Sequence, residues 1–261
     1  MPDSVFTLSE TPETSSEAAL AGVTDSALTN HGVLQTLRLG DHLTSRTGAA
    51  LTFTHIFTSH LQRAQRTGQA IADAQLANAS TTVTVKQLPE LQEVDFGSRE
   101  GTSYRPSSSA ALPQTPHGPD RRSRESDGSM AARADHFINK YLVPAVMDTC
   151  CRHERNLAIA VVSHGIFLTV LSTRLLARFR KTNVSSAADF SEKKPRWSNT
   201  GFVLLDLVPG VPVEGLHGPR LVVEGINIRT HLLGLEKTGG GVGSAMADGK
   251  QRRIEEWLKK F

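Results

Sequence analysis

The sequence predicts an α/β fold with three layers, in which helices cover both faces of a mostly parallel central sheet. Six consecutive apolar residues, 157–162, have the character of a strand that is buried on both faces, as in parallel sheets. Strand and helix patterns alternate through most of the chain, and the helices supply the crossovers that parallel pairing requires. The chain has 261 residues, of which 38% are apolar, and is therefore long enough for one large core.

The first part of the chain alternates between strand patterns and two helices. Residues 5–8, 51–57 and 82–85 are predicted to be extended, because they are apolar, alternating or β-branched. Thr29 is the predicted N-cap of the first helix, and the second helix opens at about residue 59. The apolar positions assigned to the two helix faces are Val33, Leu34, Leu37 and Leu43 in the first, and Leu61, Ala64, Ile71 and Leu76 in the second.

The second part continues the alternation. Residues 130–147 form the longest helical pattern, which Pro144 is expected to kink or shorten because proline has no N–H to donate. The central strand ends in Ser163-His164-Gly165 and leads into a helix that extends to about residue 178. Two further strands are predicted at residues 202–208 and 221–226.

The predicted organisation is one domain with a surface insertion and a tail. The domain spans residues 1–238, and residues 102–128, which are dense in Ser, Pro, Arg and Gly, are expected to form a surface insertion or lid. Residues 239–261 form a tail that is glycine-rich and then strongly charged.

Composition excludes several classes of function. The net charge is +3 and the isoelectric point is about 9.0, and no stripe of basic residues is interleaved with aromatics, so direct nucleic-acid binding is not expected. No apolar run is long enough to span a bilayer, and no secretory signal is recognised. The adjacent cysteines Cys150 and Cys151 do not make a disulfide framework, which favours a cytoplasmic or nuclear location. Without metal-ligand spacing or a glycine-rich nucleotide loop, no metal and no cofactor are expected.

Four motifs follow one another along the chain. They are Leu28-Thr29 with Gly32 and Gln35, residues 58–67 around Arg63, residues 91–101 around Glu93, and Ser163-His164-Gly165. In this order and at these spacings they resemble the histidine phosphatase superfamily, in its phosphoglycerate-mutase-like branch. The resemblance covers about residues 5–235. Residues 197–200 and the glycine-rich tail are similar to fungal members.

The resemblance implies roles for individual residues. In that family two histidines and two arginines surround a phosphoryl group, and the histidine of an Arg-His-Gly motif after the first strand becomes phosphorylated. Guanidinium groups neutralise phosphate oxygens, an imidazole supplies the covalent intermediate, and a carboxyl group protonates the leaving oxygen. Carried over, Arg63 is a phosphate arginine, Glu93 the acid and His164 the second pocket histidine. Ser9 and Gly165 are expected to contact the ligand.

The first motif departs from the family pattern. No arginine or histidine occurs before His31, and His31 belongs to the start of the first helix. The family's arginine and histidine fall either on Leu8 and Ser9 or on Ser9 and Glu10. A carboxylate at Glu10 repels a phosphate dianion. Conventional phosphatase activity is therefore expected to be absent or residual.

Three hypotheses for function remain open. The first is a protein that keeps the pocket for a small-molecule ligand, a phosphorylated ligand or a partner. The second is a repurposed acid/base enzyme, an isomerase, lyase or hydrolase, that uses Glu10, Glu93 and His164 on a small molecule. The third is an active phosphomonoesterase.

The tail carries a separate hypothesis. Its residues Gln251, Ile254, Trp257 and Leu258 have the outline of a sliding-clamp-binding peptide, which docks apolar side chains in a groove. The alternative is an amphipathic terminal helix that packs its apolar residues on the body of the protein.

Overall fold

The structure is a computed structural model that describes most of the predicted domain. The described residues are 4–11, 14, 20–45, 48–102, 122–152, 154, 156–179, 184–185, 197–208, 220–236 and 244–246. Most of the predicted insertion, residues 103–121, and the predicted clamp-binding peptide at Gln251, Ile254, Trp257 and Leu258 lie outside them. No helix in the described part of the chain is both long and apolar enough to cross a membrane.

One sheet of seven strands organises the described residues. The strands are β1 (Ser4–Glu10), β2 (Thr52–Ser59), β3 (Val85–Leu88), β4 (Leu157–Ser163), β5 (Val184–Ser185), β6 (Phe202–Val208) and β7 (Arg220–Ile228). Their order across the sheet is β3-β2-β4-β1-β6-β7-β5. Only β6 runs antiparallel to its neighbours, β1 and β7, and the other four pairings are parallel. The predicted mostly parallel sheet is confirmed.

Helices cover both faces of this sheet. They are α1 (Asn30–Thr44), α2 (Gln62–Ala79), α3 (Asp127–Phe137), α4 (Val143–Cys151) and α5 (Gly165–Phe179). One hydrophobic cluster joins α1 and α2 to the sheet, and a second joins α3, α4 and α5 to the opposite face. Successive residues of β4 alternate between the two clusters, and none is more than 3% exposed. The predicted three layers and the doubly buried central strand are therefore confirmed.

The predicted buried faces of α1 and α2 are wrong in part. Leu34, Leu37 and Leu76 are 49%, 41% and 52% exposed. The buried face of α1 is instead made largely of small and polar residues at helical spacing, namely His31, Gly32, Gln35, Thr36, Leu39, Gly40, Leu43 and Thr44. Small residues are needed there because the two helices approach closely, and a Cβ on Gly40 would lie 2.6 Å from the carbonyl oxygen of Ala70. Hydrophobic periodicity does not detect a face of this kind.

Local sequence patterns correctly predicted the N-cap of α1 and an irregularity near Pro144, but they placed the third strand three residues too early. The Thr29 hydroxyl accepts a hydrogen bond from the N–H of Gly32 at 3.0 Å, which confirms the predicted N-cap. The predicted third strand overlaps β3 at Val85 only. A π-helical turn at Ile138–Leu142 separates α3 from α4 just before Pro144, in agreement with an irregularity near this proline.

Candidate functional site

Arg63, Glu93 and His164 lie together at the carboxyl end of β4, next to the end of β1. The two strands are parallel neighbours, and Glu10 pairs with Ser163 in their register. His164 follows β4 directly, and α5 begins at Gly165. This edge of an open α/β sheet is where such folds bind ligands, because strand ends and helix N-termini converge there.

Arg63 and His164 are in direct contact. Arg63 is the second residue of α2, and its Nε donates a hydrogen bond to Nδ1 of His164 at 3.1 Å. Because a guanidinium group only donates, Nδ1 is the acceptor, and the proton of the neutral ring lies on Nε2. Arg63 is 4% exposed and His164 is 2% exposed. The contact is therefore an interior one with a defined histidine tautomer.

His164 is held in its uncharged form. Burial lowers its pKa well below the usual value for histidine, and the nearby charge of Arg63 lowers it further. Its buried Nε2 has no hydrogen-bond partner in the described part of the chain. Toward a ligand on that side, His164 is therefore a neutral hydrogen-bond donor and not a cation.

The lowered pKa of His164 predicts a loss of stability in acid. A group whose pKa is lowered on folding stabilises the fold above its unfolded value, here 6.5, and this contribution is lost as the pH falls from there toward the folded pKa. Urea unfolding at about pH 7.5 and about pH 5 tests this, because the drop should be smaller for His164→Asn than for the unmodified protein. The asparagine oxygen keeps an acceptor for Arg63 while the titrating group is removed. Equal drops in both proteins contradict the prediction.

The remaining nitrogens of Arg63 bind residues 20–25, a segment called here the strap. Its Nη1 donates to the carbonyl oxygen of Thr24 at 3.0 Å, and its Nη2 donates to those of Gly22 at 2.8 Å and Ala21 at 3.2 Å. Every nitrogen of this guanidinium group therefore has an acceptor within the protein.

Glu93 lies at the N-terminus of α5, the helix that follows His164. Its carboxylate accepts hydrogen bonds from the N–H groups of Val94 at 2.8 Å, Ile166 at 3.0 Å and Phe167 at 3.0 Å. Burial raises the pKa of Glu93, while these N–H groups and Arg63 act in the opposite direction without cancelling the effect. The residue predicted to be the acid is thus also a cap for α5, in which both of its oxygens are engaged.

The end of β1 carries neither arginine nor histidine. Ser9, which pairs with Val162 of β4, is 1% exposed, and Thr11 just beyond the strand is 6% exposed. The backbone of Glu10 belongs to the strand, whereas its side chain lies outside the described part of the structure. The polar residue types beside His164 at this strand end are therefore serine, glutamate and threonine.

Comparison with known proteins identifies the family. Residues 10–193 match the family model of the histidine phosphatase superfamily, branch 1. The chain belongs to this superfamily. A probable phosphatase of Schizosaccharomyces pombe is 29% identical over 99% of this chain and 82% of its own length.

Two solved structures share the fold of this chain. The phosphoglycerate mutase of Bacillus anthracis matches 89% of this chain and 96% of its own with a TM-score of 0.59 at 15% identity. A histidine-to-alanine variant of phosphoserine phosphatase from Entamoeba histolytica, in complex with phosphoserine, matches 88% of this chain and 99% of its own. Its TM-score is 0.53 at 20% identity. The phosphoglycerate-mutase-like architecture predicted for this chain is confirmed.

In this histidine phosphatase superfamily member, the loop of Glu93 is fixed by a residue that the sequence did not predict. Arg133 of α3 donates to the carbonyl oxygens of Glu90 at 2.7 Å and Gln92 at 3.1 Å. Its guanidinium group also forms a two-pronged ion pair with Glu125 at 2.9 and 2.8 Å. The loop partners lie 41 and 43 residues away in sequence, so no local pattern marks Arg133.

Proposed function

We propose that this histidine phosphatase superfamily member binds a small ligand at the Arg63–His164 site and does not transfer phosphoryl groups through a phosphohistidine. One observation carries the proposal, namely the chemistry of the β1 end beside Ser163. Neither Ser9 nor Glu10 supplies the imidazole on which the covalent step of the family depends.

The direction of side chains in β1 supports one of the two sequence alignments. Leu8 belongs to the hydrophobic cluster on the α3–α5 face, together with Val161. Ser9 pairs with Val162, which belongs to the cluster on the α1–α2 face. Since side chains alternate along a strand and Arg63 lies on α2, Ser9 is the better match for the family's arginine. Glu10 then takes the position of its histidine.

The charges that remain disfavour a phosphate dianion. Losing one guanidinium group removes charge-assisted hydrogen bonds worth about 1.5–3 kcal/mol each. The other, on Arg63, already donates to the strap and to His164. A ligand that presents a hydrogen-bond acceptor to His164 Nε2 fits better than one that needs two arginines. Phosphorylated ligands are expected to bind only weakly, with a Kd of roughly millimolar order.

Turnover of an aryl phosphate tests the loss of phosphoryl transfer. We expect no turnover of p-nitrophenyl phosphate above background by the purified protein, by Arg63→Ala or by His164→Ala, because the covalent step has no nucleophile. The matched controls are Arg66→Ala and His60→Ala, which alter exposed residues near the same end of α2. Turnover that Arg63→Ala and His164→Ala abolish, while both controls retain it, contradicts the proposal and favours the active phosphomonoesterase.

Calorimetric titration with phosphoserine tests retained binding. Phosphoserine is the ligand in the complex of the Entamoeba histolytica protein, and serine is the matched probe without phosphate. The proposal expects weak binding of phosphoserine that is lost in His164→Asn. Undiminished binding by His164→Asn places the ligand elsewhere on the protein and contradicts the proposal.

A second candidate function is acid/base catalysis by Glu10, Glu93 and His164. The observation that favours it is that burial shifts the two pKa values in opposite directions. It raises the pKa of Glu93 and lowers the pKa of His164. Such divergence from ordinary values is typical of acid/base pairs. Solvent deuterium incorporation next to the carbonyl group of pyruvate and related 2-oxo acids, followed by NMR, tests it. Deuterium incorporation by the unmodified protein that both Glu93→Gln and His164→Asn abolish supports this candidate. The absence of incorporation by the unmodified protein and by both variants counts against it.

A further inference from the structure

The carboxylate of Glu100 also binds the strap, through the amide groups of residues whose carbonyl groups bind Arg63. It accepts hydrogen bonds from the N–H groups of Gly22 at 3.1 Å, Val23 at 3.3 Å and Thr24 at 3.2 Å, and from the Thr24 hydroxyl at 2.6 Å. The N–H of Phe96 donates to it as well, at 2.9 Å. Three consecutive amides that converge on one carboxylate form a concave anion site of the kind called a nest.

The strap is also tied down at its ends. Leu20 exchanges two backbone hydrogen bonds with the segment after Glu100, donating to Thr102 and accepting from Gly101, both at 2.8 Å. At the other end, the side chain of Asp25 accepts from the N–H of Gln62, the first residue of α2, at 3.0 Å. These contacts fix the strap between the segment at residues 94–102 and the start of α2.

Two strap residues connect Glu100 directly to Arg63. Gly22 and Thr24 each direct their N–H to the carboxylate of Glu100 and their carbonyl oxygen to the guanidinium group of Arg63. Thr24 is exposed, whereas Arg63 is buried. The strap therefore covers the guanidinium group of Arg63, with amide groups bound to the anion Glu100 and carbonyl groups bound to the cation Arg63.

Glu100 is charged while it holds the strap. Burial raises its pKa, but the hydrogen bonds from Thr24, Phe96 and Val23 prevail, and the net pKa lies below the usual value for glutamate. A carboxylate binds amide groups more strongly than a neutral acceptor does.

We infer that Glu100 is a positioning residue that, through the strap, keeps the Arg63–His164 site closed and withholds Arg63 from a ligand anion. When Glu100 releases the amides of the strap, the carbonyl groups on its other side leave Arg63, and two nitrogens of the guanidinium group become available. The inference rests on the proposed function in one respect, namely that a ligand binds at this site.

The variant Glu100→Gln tests the inference without a ligand. An amide side chain keeps the shape of the carboxylate but presents a donor to strap N–H groups, so their hydrogen exchange should accelerate by roughly tenfold or more. Acylation of His164 by diethyl pyrocarbonate, located by peptide mass spectrometry, should accelerate to a similar extent. The control is Glu154→Gln, which alters an exposed glutamate in the loop before β4.

Hydrogen exchange in the strap and acylation of His164 together test whether Glu100 keeps the site closed. Faster exchange at residues 22–24 together with faster acylation of His164, in Glu100→Gln and not in Glu154→Gln, supports the inference. A change in only one readout, or in neither, overturns it. If Glu100→Gln does not fold, Thr24→Val removes the 2.6 Å hydroxyl contact alone and should shift both readouts in the same direction by less.

Phosphoserine affinity separates this inference from the proposed function. An open strap should raise the affinity of Glu100→Gln for phosphoserine by roughly tenfold, whereas mere structural damage would lower it. Lower or unchanged affinity in a protein that binds phosphoserine overturns the inference. If the strap opens but neither protein binds phosphoserine, the proposed binding of phosphorylated ligands fails, while the closing role of Glu100 stands on the two other readouts.

Discussion

Arg63→Ala is expected to lower the free energy of unfolding by about 2–4 kcal/mol. The substitution leaves the buried Nδ1 of His164 without its donor at 3.1 Å. It also removes the donors of three strap carbonyl groups, those of Ala21, Gly22 and Thr24. Water can replace the donor at the exposed Thr24, so the loss comes chiefly from the interior contacts. Urea unfolding followed by circular dichroism measures the change.

Arg66→Ala is the matched control for this prediction. Arg66 lies three residues further along α2 and is exposed, so its removal should change stability by no more than about 0.5 kcal/mol. Equal effects of the two substitutions would mean that the interior contacts of Arg63 contribute nothing to the fold.

Glu93→Ala is expected to destabilise the protein by about 2–4 kcal/mol. Three N–H groups, those of Val94, Ile166 and Phe167, lose their acceptor, and α5 loses the negative charge at its N-terminus. Glu93→Gln should cost less, because its remaining oxygen can serve part of this set. The destabilisation is smaller than the sum of the lost hydrogen bonds, since removal of a buried carboxylate also removes its desolvation penalty.

Glu154→Ala serves as the control for Glu93, because Glu154 is an exposed glutamate in the loop before β4. Thermal unfolding of the three variants and the unmodified protein gives the comparison. A melting temperature of Glu93→Ala equal to that of Glu154→Ala would contradict the capping role and leave Glu93 as a pocket carboxyl group alone.

The elements that sequence located correctly are those with local signals. The β4 strand appears as an apolar run because both of its faces are buried, and Thr29 marks the start of α1 because its hydroxyl reaches an N–H three residues ahead. Four ordered motifs also identified the family, which the match over residues 10–193 confirms. The buried face of α1 contains small and polar residues such as Gln35 and Gly40, and hydrophobic periodicity therefore does not predict which residues are buried there.

The hydrogen bonds within the site join residues that are far apart in the sequence, so no local sequence pattern predicts them. Arg63 and its strap partners are 39–42 residues apart, and Glu93 lies 73 and 74 residues before the amides it caps. A motif fixes which residue types are present, but not whether a guanidinium group faces a ligand or a backbone carbonyl group. The contacts of Arg63 with the strap and the capping role of Glu93 are therefore visible only in the structure.

Trapping of a phosphoenzyme is the decisive test of whether this protein has lost covalent phosphoryl transfer. The full-length protein is mixed with p-nitrophenyl phosphate, quenched without acid to preserve a phosphohistidine, and examined by intact and peptide mass spectrometry. We predict no phosphoryl adduct on any histidine at any time point. An adduct on His31, His164 or another histidine, formed as nitrophenolate is released, would show that the protein retains the covalent step of its superfamily and would contradict the proposed loss of phosphoryl transfer.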